Sequence, residues 1–390
     1  MVSSTEPTEH TAPATRADRG IGHAAVGSDT TAPTAFEYVG LPYRIVFGRG
    51  RMGEVAAEVA RLGHSRVLLL ASPDITKAAD RVEKLLGPLC VARYSGAAMH
   101  TPVAVTEKAL ELLRTHNADC VVAIGGGSTT GLSKALAART GLDQLILPTT
   151  YSGSEVTPVL GETADGKKTT RSSPSILPET VIYDVELSGG LPVPIAVTSA
   201  VNALAHAVEA LYSTQANPIV DGWALGAISD LGNGLRQLTD EPADLEVRSV
   251  LLRGAWLAGS CLASVGMALH HKLCHVLGGS FGLPHAATHT VMLPHVMAYN
   301  APATPDAMRR TAEALGVPDA PAGVFDLIEQ ADGPTSLRAL GLDANDLGEA
   351  ADQATASPYP NPEPLTRDGI LALLTDAWHG VRPATGTPRV

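Results

Sequence analysis

Histidine is concentrated in one short part of the chain. Of the 13 histidines, six lie between residues 270 and 295, namely His270, His271, His275, His285, His289 and His295. His271 and His275 are four residues apart on a predicted helix, so they share a face. Asn202 and His206 have the same spacing on another predicted helix. Imidazoles that converge from several helices either coordinate a metal or act as acids and hydrogen-bond donors.

A glycine-rich turn is the second feature with chemical potential. The apolar run 119–124 leads into Gly125, Gly126, Gly127 and Ser128, and a helix is predicted over 132–140. Glycines at the end of a parallel strand let the backbone approach a ligand, and the following helix N-terminus offers free N–H groups. The pattern predicts a pyrophosphate site, with a simple tight turn as the alternative. It matches neither the GxGxxG nor the GxxxxGK[ST] fingerprint.

A polar loop follows the next predicted strand, at 145–147. It contains Thr149, Thr150, Tyr151 and Ser152 within the run PTTYSGSE. Ligands of open α/β sheets bind outside the carboxyl ends of the strands, so we expect these hydroxyls to face the same cleft as the glycines. A Ser/Thr turn without a ligand is the alternative.

These candidate groups lie on two kinds of predicted structure. Short apolar runs alternate with helical patterns up to about residue 188, which is typical of a parallel α/β sheet of the Rossmann type. Ala-rich helical segments then dominate to the end. We therefore predict a disordered tail over 1–35, an α/β dinucleotide-binding domain over 36–188 and an all-helical catalytic domain over 189–390.

Composition excludes several classes of protein. With 28 basic and 40 acidic residues the net charge is −12, which argues against binding nucleic acid. No apolar run of membrane-spanning length and no secretory signal is apparent. The four cysteines form no CxxC pair, as expected of a cytoplasmic protein. These features predict a small-molecule enzyme.

Several separated motifs together resemble a known family. GGGSTTG, PTTYSGSE, NALAHAVEA and HHKLCHVLGGSFGLPHAATHTVMLPHV are similar to the iron-containing (metal-dependent) alcohol dehydrogenase superfamily, and within it they look like the maleylacetate reductase branch. The resemblance extends from Phe36 to the C-terminus. It implies the two-domain fold shared with dehydroquinate synthase, a homodimer, and an NADH or NADPH cofactor.

The resemblance also implies a metal site, from which this chain departs. The family's ligands correspond to His206, His271, His285 and an Asp that is replaced here by Asn202. Losing the only anionic ligand should weaken binding of a divalent ion. Lys272 follows His271 where relatives often have Gly, and it is expected near the metal position. We therefore expect catalysis without a metal. If iron or zinc is bound, His206, His271 and His285 would hold it together with Asn202.

A further departure concerns the choice of cofactor. Many relatives that prefer NAD have an Asp after the second strand, where this chain has Ser72 and Pro73. Without that carboxylate a 2′-phosphate is not repelled, so both NADH and NADPH are expected. The predicted cofactor-binding residues are Gly125, Gly126, Gly127, Ser128, Thr149, Thr150, Ser152 and Ser72.

The resemblance implies reduction of the carbon–carbon double bond of maleylacetate to 3-oxoadipate, in aromatic-compound catabolism. Its catalytic candidates are His271, His275, Lys272 and His206. Its substrate-binding candidates, for a small dicarboxylate, are Asn202, His285, Tyr151 and Lys272. The alternatives are a metal-dependent alcohol or aldehyde dehydrogenase of the same superfamily, a lyase of the dehydroquinate synthase type, and a non-enzymatic NAD-binding regulator.

Overall fold

Six parallel strands form one sheet in the first half of the chain. The computed structural model describes residues 35–164 and 167–383, so the predicted tail lies almost wholly outside the described residues. The sheet strands are β1 (Arg44–Gly48), β2 (Val67–Ala71), β3 (Cys90–Tyr94), β4 (Cys120–Gly125), β5 (Asp143–Pro148) and β8 (Thr180–Asp184). Their order across the sheet is β1-β8-β5-β4-β2-β3. The remaining strands, β6 (Val159–Ala164) and β7 (Lys167–Ser172), form a separate antiparallel hairpin.

Helices cover both faces of this sheet. They are α1 (Val55–Arg61), α2 (Thr76–Leu86), α3 (Val103–Thr115) and α4 (Gly127–Thr140). On β2, Leu69 packs with α1 and α2 on one face, whereas its neighbour Leu68 packs with α3 and α4 on the other. Since successive side chains of a strand point to opposite faces, a sheet buried on both faces needs the continuous apolar runs that the sequence shows.

The strand order contains one switch point. The chain leaves β2 toward the edge strand β3, and it leaves the neighbouring strand β4 in the opposite direction, toward β5. Connections that diverge from adjacent parallel strands open a crevice at their carboxyl ends, where doubly wound proteins bind ligands. That crevice lies between Ser72, which follows β2, and Gly126, which follows β4.

All elements of regular structure after β8, up to residue 383, are helices. They are α5 (Val185–Ser188), α6 (Val193–Leu211), α7 (Pro218–Leu238), α8 (Leu245–Ser264), α9 (Leu269–Ser280), α10 (His285–Asn300), α11 (Pro305–Leu315), α12 (Ala320–Gln330), α13 (Leu347–Thr355) and α14 (Arg367–His379). The predicted fold class, a parallel α/β domain followed by a helical domain, is therefore confirmed.

The core of the sheet continues into the helical part. Leu204 of α6 and Leu251 of α8 belong to the same buried cluster as Leu68 and Val121 of the sheet. A second buried cluster, which includes Leu273 of α9, joins α9, α10, α13 and α14. The helices that carry the histidines are thus packed firmly against the sheet and against each other.

Helix α6 is long and apolar enough to cross a membrane by length and composition alone. Its sequence is not one continuous apolar run, because Ser199, Asn202, His206 and Glu209 interrupt it. Most of α6 is buried within the protein, and the core helix of a soluble protein passes the same test.

Candidate active site

The glycine loop, residues 125–131, is shaped by close contacts. Gly125 has a φ of +152°, a conformation that side chains disfavour, and its carbonyl accepts a hydrogen bond from the Thr149 N–H at 3.0 Å. A Cβ added to Gly126 would lie 2.9 Å from Cγ2 of Thr150, and one added to Gly127 would lie 3.8 Å from Oγ of Ser152. The structure therefore brings the glycine loop and the loop after β5 into contact.

Helix α4 begins earlier than predicted. It starts at Gly127 instead of residue 132, so most of the glycine loop forms its first turn. Thr129 and Thr130 are buried in that turn, whereas Gly127 is exposed and Ser128 is half-buried. The first N–H groups of a helix have no intrahelical acceptor, which makes the segment 126–128 the part of the loop that is free to bind an anion.

The loop after β5 is held in place by buried charges. Lys134 of α4 is fully buried and donates hydrogen bonds to the carbonyl of Ser154 and to Oγ1 of Thr157. Burial lowers the pKa of Lys134 to about 7, and the nearby Glu155 opposes that shift. Glu155 accepts a hydrogen bond of 2.8 Å from the Tyr183 hydroxyl.

Tyr151 does not join the other candidates. It is fully buried in the core, and Nη1 of Arg248 donates a hydrogen bond of 3.4 Å to its hydroxyl. A side chain that fills the core cannot also line an open substrate site, so the prediction that Tyr151 binds substrate does not fit the structure. Ser72 is half-buried at the end of β2, beside the switch point.

The second group of candidates forms a histidine cluster, defined here as His206, His270, His271, His275, His285 and His289. Helix α6 supplies His206, α9 supplies the next three and α10 the last two. The His271 ring lies 5.1 Å from both His206 and His289 between ring centroids, and His285 lies 4.4 Å from His289. Three helices that are distant in sequence thus bring their imidazoles together.

Glu209 anchors this cluster, and the sequence did not reveal it. It is fully buried on the same face of α6 as Asn202 and His206, at positions i, i+4 and i+7. One carboxylate oxygen lies 2.6 Å from Nδ1 of His271. The carboxylate also accepts hydrogen bonds from the N–H groups of Ala268 and His270, at 3.1 and 2.9 Å.

These contacts give Glu209 two structural effects. Its carboxylate accepts hydrogen bonds from the N–H groups of Ala268 and His270 at the start of α9, so it caps the helix that begins at Leu269. It also fixes the orientation of the His271 ring, because a proton on Nδ1 is held by the carboxylate. Nε2 of His271 then faces away from Glu209.

Three buried polar atoms of α6 and α9 lack partners among the described residues. Oδ1 of Asn202, Nδ1 of His206 and Nε2 of His271 are buried, and none has a hydrogen-bond partner within residues 35–164 and 167–383. Buried polar groups are normally satisfied, so these atoms are candidates for binding a ligand. Amide and imidazole atoms suit a divalent transition metal as neutral ligands, and they equally suit a polar substrate atom.

A second set of side chains lies beside the first. His270 Nε2 and His289 Nδ1 are 2.9 Å apart, and the Cys274 thiol lies 3.8 Å from His270 Nε2. All three residues are fully buried, and their potential ligand atoms lie within 4.8 Å of one another. Burial raises the pKa of the Cys274 thiol well above its usual value, and the charge of Glu209 raises it further.

Burial keeps the inner imidazoles neutral. It lowers the pKa of His206, His270 and His289 well below the ordinary value, and positive charge on neighbouring histidines lowers each one further. A neutral imidazole can accept at one nitrogen and donate at the other. His275, by contrast, is exposed on α9 and lies 6.3 Å from His271 between ring centroids.

Lys272 is not placed where the metal was expected. Its ammonium lies over the ring of Tyr359, 5.7 Å from the centroid. Within the described part of the chain, Asn202 Oδ1, His206 Nδ1 and His271 Nε2 have no hydrogen-bond partner, so Lys272 bonds to none of them. The side chain next to His271 on a helix points about 100° away, which the spacing alone already implied.

Comparisons with known proteins agree with each other. Residues 42–185 match the iron-containing alcohol dehydrogenase family, and residues 196–378 match its C-terminal domain. The chain is 65% identical to maleylacetate reductase 1 of Rhodococcus opacus, over 89% of this chain and 98% of that protein. It is 50% identical to the maleylacetate reductase of Rhizobium sp. (strain MTP-10005), over 89% and 99%. The crystal structure of maleylacetate reductase from Agrobacterium tumefaciens has a TM-score of 0.87 at 49% identity, over 90% and 100%.

Proposed function

The chain belongs to the iron-containing alcohol dehydrogenase family, and from that premise we propose that it acts as a maleylacetate reductase. It is an NAD(P)H-dependent oxidoreductase. The relatives named above carry this activity at 49–65% identity over about nine-tenths of this chain.

The reaction adds a hydride and a proton across a conjugated double bond. The hydride leaves the nicotinamide and bonds to the alkene carbon that is β to the ketone of maleylacetate. The electron pair of the alkene moves to form an enolate, whose charge lies on the former ketone oxygen. A proton then bonds to the carbon α to the ketone, which gives 3-oxoadipate and NAD(P)⁺.

The two regions of the molecule divide this work. The segment 126–128 and the hydroxyls of Thr150 and Ser152 bind the pyrophosphate end of the cofactor, and Ser72 lies near the adenosine ribose. The absence of a carboxylate at Ser72 admits a 2′-phosphate, so both NADH and NADPH are accepted. The histidine cluster holds the substrate and meets the charge that develops on it.

His271 is the main stabiliser of the enolate. Nε2 faces the site, and the buried Glu209 carboxylate, 2.6 Å from Nδ1, stabilises positive charge on the ring when Nε2 carries a proton. A proton donor aimed at developing negative charge in a dry site is worth about 3 to 4 kcal/mol. Asn202 and His206 position the same part of the substrate, while the exposed His275 and the half-buried His285 lie at the edge of the cluster.

A metal is not required in this proposal. Iron or zinc, if bound, would be held by His206, His271, His285 and Asn202, and it would supply a positive charge that polarises the ketone. None of these four side chains is anionic, and burial keeps His206 neutral by lowering its pKa. A divalent ion on these neutral ligands keeps its full charge and is bound less tightly than in a site that includes a carboxylate, so we propose that His271 and its carboxylate perform the polarisation instead.

Further proposals concern the assembly and location of the enzyme. We propose a cytoplasmic homodimer that binds neither nucleic acid nor membranes. The strand β1 lies at one edge of the sheet, and no strand of the described residues pairs with its outer side, which suits pairing with a second copy of the chain. Light scattering at working concentration tests the dimer, and a monomeric mass would contradict it.

The observation that carries the proposed function is the unpartnered His271 Nε2 held in orientation by Glu209. The test is oxidation of NADH and of NADPH by the purified enzyme with maleylacetate. NADH deuterated at the transferred position should give 3-oxoadipate with deuterium on the carbon β to the ketone. Deuterium on the ketone carbon, in a hydroxy acid, would indicate an alcohol dehydrogenase instead.

A further inference from the structure

A tyrosine between α13 and α14 has no role in the chemistry described so far. Tyr359 lies in the run 357–364 (SPYPNPEP), in which every second residue from 358 onward is proline. Its hydroxyl is buried and lacks a hydrogen-bond partner among the residues that the structure describes. Leaving a buried hydroxyl unsatisfied is costly, so the structure keeps a donor available for a ligand.

The segment 357–364 is fixed against the first turn of α9. Oδ1 of Asn361 accepts a hydrogen bond from the Leu269 N–H at 3.3 Å. Its Nδ2 donates to Oδ1 of Asn300 at 2.8 Å, and the Tyr299 hydroxyl donates to the Pro364 carbonyl at 2.7 Å. With φ fixed at its prolines, the segment has little freedom to move the Tyr359 ring away from α9.

Tyr359 therefore lies beside Lys272, the neighbour of His271. The Lys272 ammonium is 5.7 Å from the Tyr359 ring centroid, and both side chains are half-buried. Burial raises the pKa of the Tyr359 hydroxyl, and the nearby charge of Glu209 raises it further, so the hydroxyl remains a proton donor. An ammonium and a phenol hydroxyl in one contact pair suit a carboxylate.

We propose that Lys272 and Tyr359 bind one carboxylate of the substrate while His271 faces its ketone oxygen. This inference rests on the proposed function, because the ligand is the dicarboxylate itself. The alkene must face the nicotinamide, so the carboxylate bound here is the one on the CH₂ group beyond the ketone.

Glu209 does not prevent an anion from binding there. Its carboxylate already accepts hydrogen bonds from His271, Ala268 and His270, which offset its charge. The Lys272 ammonium has no carboxylate partner among the described residues, since every salt bridge there involves an Arg or a His. The substrate carboxylate would be its partner.

The first experiment removes only the hydroxyl. Tyr359→Phe keeps the ring under Lys272, so a purely structural contact would leave kinetics unchanged. We expect the KM for maleylacetate to rise at least about tenfold, as for a lost hydrogen bond to a charged group, with kcat changed less than about threefold. The Kd for NADH should not change. Tyr43→Phe, which loses a hydrogen bond to Ser260 near the edge of the sheet, is the matched control.

The second experiment measures binding without turnover. Freshly prepared 3-oxoadipate and 4-oxopentanoate, which lacks the carboxylate in question, are compared by calorimetry in the presence of NAD⁺. The unmodified enzyme should prefer 3-oxoadipate by at least about tenfold. Tyr359→Phe should weaken 3-oxoadipate binding and leave 4-oxopentanoate binding unchanged, and Lys272→Met should do the same.

The outcomes are distinct. Equal weakening of both ligands, or no change in either, would overturn the assignment of this carboxylate site even if the enzyme reduces maleylacetate normally. An unmodified enzyme that neither reduces maleylacetate nor binds 3-oxoadipate would overturn the proposed function, and the carboxylate site with it.

Discussion

At the glycine loop the groups offered to a ligand belong to the backbone, whereas in the histidine cluster they belong to buried side chains. The glycine loop lies within one strand–turn–helix unit, from Cys120 to Thr140, and the hydroxyls of Thr150 and Ser152 reach it from the loop after β5. The histidine cluster is assembled from α6, α9 and α10, with Tyr359 added from a later segment. A backbone site tolerates changes of side chain provided the glycines remain, while a side-chain site depends on each group and on what orients it.

The largest expected effect belongs to the histidine cluster. His271→Ala removes the donor that faces the developing enolate, and kcat should fall about a hundredfold or more. The Kd for NADH should stay within about twofold, because the glycine loop is untouched. His379→Ala, at the end of α14, serves as the control for loss of a histidine. An unchanged kcat in a folded His271→Ala enzyme would show that another residue stabilises the enolate oxygen.

A somewhat smaller loss is expected at the residue that orients His271. Glu209→Gln keeps the size of the side chain and removes the charge behind the ring, so kcat should fall about 10- to 100-fold. A lower melting temperature with normal kcat would show that Glu209 only caps α9.

A change in the glycine loop should weaken cofactor binding, whereas the changes in the histidine cluster lower kcat. A methyl group at Gly127 meets no atom closer than 3.8 Å, so Gly127→Ala should fold normally and still obstruct a pyrophosphate. We expect the Kd for NADH to rise at least tenfold, about 1.4 kcal/mol, with little change in kcat at saturation. Gly222→Ala, in α7, also has open space around it and should leave the Kd unchanged. Equal Kd values for the two variants would contradict the pyrophosphate assignment.

The buried histidines of the cluster should make the folded protein less stable in acid. Burial lowers the pKa of His206, His270 and His289 in the folded state, so the unfolded state binds more protons below an ordinary imidazole pKa. Stability is therefore complete above about pH 6.5 and falls on acidification, by up to about 1.4 kcal/mol per pH unit for each histidine. Urea titrations between pH 5 and 7 measure this slope. His289→Asn should make the slope of the unfolding free energy against pH shallower by the contribution of one histidine. An unchanged slope would show that His289 does not have a lowered pKa in the folded state.

Much of the fold was predictable because its signals are local. The buried strands β2, β4 and β5 were recognisable as continuous apolar runs, and the glycine loop as the turn after one of them. The start of α4 at Gly127 was missed, since glycines are poor helix formers and tertiary contacts override that preference.

Less of the site was predictable because its contacts are not local. Glu209 lies within NALAHAVEA and is the single charged residue of α6, which was a signal available in the sequence. Its hydrogen bond to His271 spans 62 positions, and no spacing rule reveals that. The same holds for Lys272, whose contact with Tyr359 crosses from α9 to the segment before α14. Tyr151 was misassigned because a hydroxyl in a polar loop can equally point into the core.

The central claim is that His271, held by Glu209, replaces a metal in polarising the ketone. The most direct measurement is the rate of maleylacetate reduction by enzyme dialysed against a strong chelator, with its iron and zinc content determined on the same sample. The account predicts full activity with far less than one equivalent of metal per chain. Activity that disappears on chelation and returns with added iron or zinc would contradict it and make His206, His271 and His285 metal ligands.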